Sequence, residues 1–513
     1  LLSGLAANPA LPAELVDRLI RLAAGTSDAA DELVGYLADR TDLSPDQVAA
    51  LAAHDEDTAV QLARGGHLTA GDVDPAVRPS VALALLDEGC GWPQWAVRFA
   101  ADPDPCVRRR LASCPGLPPE AEDALAGDAD LEVTTELALW TTSPPVAARL
   151  ARHPHAEVRR VVAANEAVPP AALAALLTGD GLESARSCLD CEDRAEGRAA
   201  PFAHRSCGPD PAGGPGPGAA CDGTHGSTVH GTWRRALANP ATPPAAVAAF
   251  ADHPSEPLRW AVARHPGLPA HVRTRLAEDP APGVRAALAG NPGTGAAICR
   301  RLAADPDPEV RRALAHHPRV PFDVLARLVL TTRTRTGPDP LPRISSATPD
   351  ELAEAAASAR GQVRMLVAQR RDLPPDVRNR LASDEDASVA KAVAPHPGLP
   401  AELLRGMVAL HGVQVLAGVA ANPDAPADLL AELAHREPPV RRALREIASH
   451  PNATAGALMP CLADRKARVR AAAHPALPPA VVVELLDDTD PAVVEAAAAN
   501  PALPSAVMRG LLP

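Results

Sequence analysis

Apolar residues in this chain come in short bursts, not in long runs. Val272 and Leu276 stand four apart, as do Val324 and Leu328, Val377 and Leu381, and Val481 and Leu485. That spacing puts each pair on one face of a helix. Prolines bound every burst. Asn239-Pro240, His265-Pro266, Asn291-Pro292 and His317-Pro318 recur with a period of 26 residues, and a second proline follows an apolar residue in Leu268-Pro269 and Val320-Pro321.

The pattern predicts a repeat of two short helices. In Asp307-Pro308-Glu309-Val310-Arg311 the aspartate is placed to cap the first helix, and proline fills a first-turn position whose N–H has no intrahelical acceptor. Asp104-Pro105 and Asp490-Pro491 repeat that start. The helix must stop at the Asn-Pro or His-Pro pair, because a residue before proline is pushed out of the α region. Leu268-Pro269 then opens the second helix. Helices this short do not persist alone in water, so each unit must bury its apolar face on its neighbours. The expected product is an all-α solenoid of about eighteen units of roughly 26 residues.

The same frame runs through Val363-Arg364, His396-Pro397, Asn422-Pro423, His450-Pro451, His474-Pro475 and Asn500-Pro501, and upstream at Asn8-Pro9, Cys114-Pro115 and Asn165. This gives an N-terminal array over 1–186, divergent over about 20–100, and a C-terminal array over 232–513. Residues 187–231 break the frame. They hold nine glycines and five prolines, too many for helices, and are expected to be an inserted loop. Loop closure entropy grows slowly with length, so stacked units can accept it.

The string D-P-x-x-V-R-x-x-x-A-x-[NH]-P-x-L-P-x-x-x-L-x-x-L resembles the leucine-rich repeat variant family. The resemblance covers roughly 100–180 and 232–513. It implies a helix and a shorter 3₁₀-like helix per unit, stacked into a right-handed α-solenoid. The first half of the unit also looks like HEAT-type repeats.

Composition sharpens this picture. Only 10 of 513 residues are aromatic (Phe 4, Trp 5, Tyr 1), so packing must rest on Leu, Val and Ala. A formal net charge of −13 gives no bulk attraction to nucleic acid or to an anionic membrane. No run of residues is long and apolar enough for a spanning helix, and no leader is visible from Leu1 onward, which suggests a cytoplasmic protein. Nine cysteines, odd in number and mostly scattered, fit a reducing compartment.

Three features bear on chemistry. The Arg after Val or Leu recurs as Arg108, Arg159, Arg259, Arg285, Arg311, Arg364, Arg441 and Arg470. Stacking would align these side chains in a row. Arg259, Arg285 and Arg311 then either clamp acidic partners or phosphates, or bond the aspartates and carbonyls of adjacent loops. The Asn/His slot before proline points to helix termination, since both side chains can donate and accept at a helix end. Third, the insertion carries Cys188-x₂-Cys191, Cys207 and Cys221, a set able to hold zinc or an iron–sulfur cluster tetrahedrally, with His204, His225 and His230 as substitute ligands. Some leucine-rich repeat variant proteins carry a four-cysteine module holding a four-iron, four-sulfur cluster, and the loop is similar in content, although it sits inside the array.

No Walker A, H-E-x-x-H, G-x-S-x-G or G-x-G-x-x-G motif occurs. The reading is therefore a non-enzymatic scaffold that binds another protein. The alternatives are a metal- or iron–sulfur-containing regulatory protein and, more weakly, a phosphate or nucleic-acid binder along the Arg row.

Overall fold

The structure, a computed structural model, describes residues 1–23, 28–187, 226–332 and 340–512. Among these residues the fold is all-α, with about eighteen helix pairs in chain order and no β-strand. A single isolated bridge joins His155 and Ser187. Among the described residues no helix is long and apolar enough to cross a membrane.

The repeat forms as its residues dictate. Asp307 caps the helix Pro308–Ala315, its side chain accepting from the N–H of Glu309 at 2.7 Å, with Pro308 in the first turn. Asp104 and Asp490 cap Pro105–Ala112 and Pro491–Ala498 in the same way. These first helices bury Val and Leu together with one or two alanines: Leu258, Ala261, Val262 and Ala263 in Glu256–Arg264, and Val310, Leu314 and Ala315 in Pro308–Ala315. Alanine lets neighbouring helices approach closely, which compensates for the scarcity of large rings.

The second helices differ from the family expectation. They are α, not 3₁₀: in Ala270–Leu276 the N–H of Arg273 bonds the carbonyl of Pro269 at 3.1 Å, a four-residue step, and Phe322–Thr331 runs ten residues. The predicted face is there in three of the four pairs, with Val272 and Leu276 buried, as are Val324 and Leu328, and Val377 and Leu381; in the fourth Leu485 is buried but Val481 only partly, Val482 taking the buried place. Among the described residues, short 3₁₀ turns occur at Ala70–Asp72, Gly412–Gln414 and Leu485–Asp487.

The helix Gly226–Ala238 begins inside the segment expected to be loop. Tertiary packing overrides the local glycines here: His230 is buried with its Nε2 2.8 Å from Ser255 Oγ, and Gly231 lies so close to Arg160 that a Cβ would stand 3.0 Å from its Cδ.

Two compact units are present. One comprises 69–334 and the other 1–68 together with 335–513. In the first, the stack continues across the insertion, since helix Gly226–Ala238 packs directly on Ala156–Val162. In the second, helices nearly 500 residues apart in sequence meet. Helix Leu2–Ala7 packs on Pro491–Ala498 as the next unit of the stack, and Asp28–Ala38 and Glu56–Arg64 follow in order.

Candidate functional site

The Asn/His slot is more than a helix stop. Asn291 is buried, and its Nδ2 donates to the carbonyls of Ala263 and His265 in the preceding unit, both at 2.8 Å, while Oδ1 accepts from the N–H of Gly293. Asn422 does the same to Ala394 and His396, Asn500 to Ala472 and His474, and Asn239 to Ala163 and Asn165. Histidine substitutes with the same two-ended geometry. His317 Nε2 meets the carbonyl of Asn291 at 2.8 Å and Nδ1 accepts from the N–H of Arg319. His450 and His474 meet the carbonyls of Asn422 and His450 at 2.7 and 3.0 Å. Because Nδ1 accepts from an N–H, the proton must sit on Nε2, which makes the ring neutral. These histidines are thereby committed to the backbone.

Burial pushes the pKa of His265 and His317 below the ordinary histidine value. His396 falls to about 4, through burial first and then the charges of Arg371 and Arg378. His396 Nδ1 has no partner, because the N–H of Gly398 turns to Asp424 Oδ2 at 2.6 Å.

The sequence reading missed three members of this ladder. Arg40 donates from Nη1 to the carbonyls of Ala6 and Asn8 and grips Asp42 with Nε and Nη2. Arg370 does likewise to Ile344, Ala347 and Asp372. The shared string Arg-x-Asp-Leu, at 40–43 and 370–373, was the available signal. Thr141 fills the slot as well: Asn165 donates to its carbonyl at 2.9 Å, and its Oγ1 accepts from the N–H of Ser143.

The arginine row is a second ladder. Arg259 pairs with Asp279 through Nε at 2.7 Å and Nη2 at 3.1 Å, and its Nη1 donates to the carbonyls of His253 and Pro254. Arg285 pairs with Asp305 and donates to the carbonyls of Asp279 and Pro280. Arg311 donates to the carbonyls of Asp305 and Pro306. Arg108–Asp128 and Arg364–Asp384 repeat the same 20-residue step. Each aspartate also accepts the N–H two residues on, as Asp305 does from Asp307. Burial works against the charge of Asp305, Asp128 and Asp384. Bonds from arginine and from the backbone N–H outweigh it and hold all three below the usual carboxylate range.

Two arginines read into this row lie outside it. Arg468, not Arg470, pairs with Asp488, because the place in the row is set six residues before the Asn/His slot at His474. Arg441 is largely exposed and stands 3.9 Å from Asp464. Trp233 takes the arginine place in its own unit, packed edge-on against His253 with ring centroids 5.8 Å apart.

Cys188, Cys191, Cys207 and Cys221, with His204 and His225, lie outside the described residues. Among the described residues no group of three or more His, Cys, Asp or Glu is placed to hold a metal ion. Burial pushes the thiols of Cys114 and Cys461 up to about 12 and that of Cys299 to about 11. Cys90 and Cys106 are exposed.

Several large apolar side chains stand on the surface. Trp140 and Trp260 are 53% and 40% exposed in a chain with five tryptophans. Both lie on the outward face of a first helix: Glu136 and Trp140 occupy the register of Trp260 and Arg264. Trp140 Nε1 donates to Glu136 at 2.8 Å, and the Arg264 guanidinium sits 4.8 Å from the Trp260 ring centroid. At the foot of the insertion a cavity of about 280 Å³ is lined by Arg159, Leu176, Leu182, Ala185 and Trp233.

No protein-family model matches the chain, and no curated protein matches it. Among solved structures it is similar to a protein described as a leucine-rich repeat variant with a novel repetitive structural motif. There the identity is 25% over 52% of this chain and 84% of that one, with a TM-score of 0.28. It is similar to yeast importin-beta at 11% identity over 97% and 75%, TM-score 0.26. UNC-45 from Drosophila melanogaster matches at 12% identity over 94% and 74%, TM-score 0.17. The chain is thus similar to leucine-rich repeat variant and HEAT-like solenoids, and the helix pairs and ladders above define its own architecture.

Proposed function

We propose that the protein is a non-enzymatic scaffold whose repeat surface binds another protein. One observation carries this reading. The side chains with chemical potential, the Arg row and the Asn/His row, are spent on holding repeats together, while large apolar side chains stand in solvent. Trp92, Val97, Leu139, Trp140 and Trp260 are all exposed. Tryptophan is enriched among the anchors of protein interfaces, where a rigid amphipathic ring adds contact area at low entropic cost.

The test is a paired one. A partner captured by crosslinking is measured against the wild type and against a Trp140→Ala, Trp260→Ala variant. Affinity should fall at least tenfold, as expected for a lost hot spot, with an unchanged thermal midpoint. Binding that weakens only when the midpoint also drops would remove the tryptophan face from the reading.

A further inference from the structure

Within the unit formed by 1–68 and 335–513, one junction between stacked repeats has no peptide chain running through it. Helix Leu2–Ala7 lies on Pro491–Ala498 with the geometry used between consecutive units. Asn8 Nδ2 donates to the carbonyls of Ala498 and Asn500, each at 2.8 Å, as Asn500 does to Ala472 and His474. Gly4 fits so closely that a Cβ there would overlap the Glu495 carbonyl oxygen and stand 2.9 Å from Ala498 Cβ. Leu5, Ala6 and Asn8 on one side and Ala497, Ala498 and Asn500 on the other are fully buried. Around this centre Arg18 Nη2 donates to the Leu512 carbonyl at 3.1 Å, Tyr36 Oη to Glu495 at 3.3 Å, and Arg509 pairs with Glu14 at 2.8 Å.

We propose that this seam is a docking surface for a second copy of the chain, reached when two molecules exchange their 1–68 blocks. The edge offered by 491–512 is complementary to residues 1–40 in shape, in hydrogen bonding and in charge. It cannot tell its own block from another molecule's, since both would make identical contacts. Exchange of identical elements is a low-cost route to a dimer. A tethered block has a high effective concentration, so closure within one chain wins in dilute solution and exchange gains as protein concentration rises.

Charge reversal separates the two arrangements. In a Glu14→Arg variant and in an Arg509→Glu variant the seam of each molecule brings like charges together. When the two variants are mixed, the exchanged heterodimer restores an opposite-charge pair at both seams. The variants are incubated together in sub-denaturing urea and dialysed, and mass is read by light scattering. The dimer fraction should be about threefold or more above that of either variant alone, the bias expected when repulsion at an exposed pair is relieved. A Gly4→Leu variant should form no dimer under the same treatment. A mixture that stays at the mass of one chain overturns the proposal, as does a dimer that survives Gly4→Leu, because it must then form elsewhere.

Discussion

The main-chain carbonyl of Asp279 accepts Arg285 Nη1 at 2.8 Å, while the Asp279 carboxylate holds Arg259. One residue therefore couples two successive arginines, and Asp305 repeats the arrangement with Arg285 and Arg311. The ion pairs are links of a chain that runs from loop to loop.

Removing one link should be expensive. Arg285 and Asp305 retain side-chain exposures of 15% and 6%. Arg285→Ala leaves a buried carboxylate with only backbone compensation, and should lower unfolding free energy by about 3 kcal/mol. Arg312→Ala, which breaks a pair whose Glu309 partner is 64% exposed, should lower it by less than about 1 kcal/mol. Urea denaturation of both variants checks the contrast.

The Asn/His ladder makes a prediction about identity, not size. Asn291→Asp turns a donor toward two carbonyl oxygens into a third acceptor, and should lose about 3 kcal/mol or more. Asn291→His should be the mildest change at this site, because His317 and His450 already fill equivalent places. Thermal midpoints should rank wild type, His, Ala, Asp.

Acid should loosen the stack before the carboxylates titrate. The folded pKa of His265, His317 and His396 lies below the unfolded value of about 6.5. Below that value the unfolded chain binds more protons than the folded one. Stability is therefore full above about pH 6.5 and declines as pH falls toward the folded value, about 4 for His396. A His396→Asn variant should show a shallower loss of midpoint across this window.

Thiol reactivity should follow burial. Native protein treated with a maleimide at pH 8 should be modified at Cys90 and Cys106 and spared at Cys114, Cys299 and Cys461, whose raised pKa values leave almost no thiolate. Peptide mapping by mass spectrometry reads the result, and rapid native labelling of Cys299 would contradict it.

Much of the fold was legible because proline punctuation is local. Asp307-Pro308 and Leu268-Pro269 mark helix starts without reference to anything distant, and the structure places helices there. The ladders were legible only in part. The residues alone left the Arg row as clamp or strut, and the bonds of Arg259 and Arg285 to Asp279 and Asp305 support the strut, a choice that depends on what lies 20 residues away. Arg40 and Arg370 escaped notice because they do with a guanidinium what asparagine does with an amide, a chemical equivalence that letter matching does not see. The seam at Asn8 joins residues almost 500 apart, and no periodicity within the chain points to it.

Asn239 reaches Ala163 and Asn165 as though the residues between them were absent. The repeat pitch is thus indifferent to what is spliced in after Ser187, and that junction can gain, lose or trade a module without re-engineering the array. A foreign domain placed there would be displayed from the side of an undisturbed stack, which makes the position a natural port for grafting new recognition onto the protein.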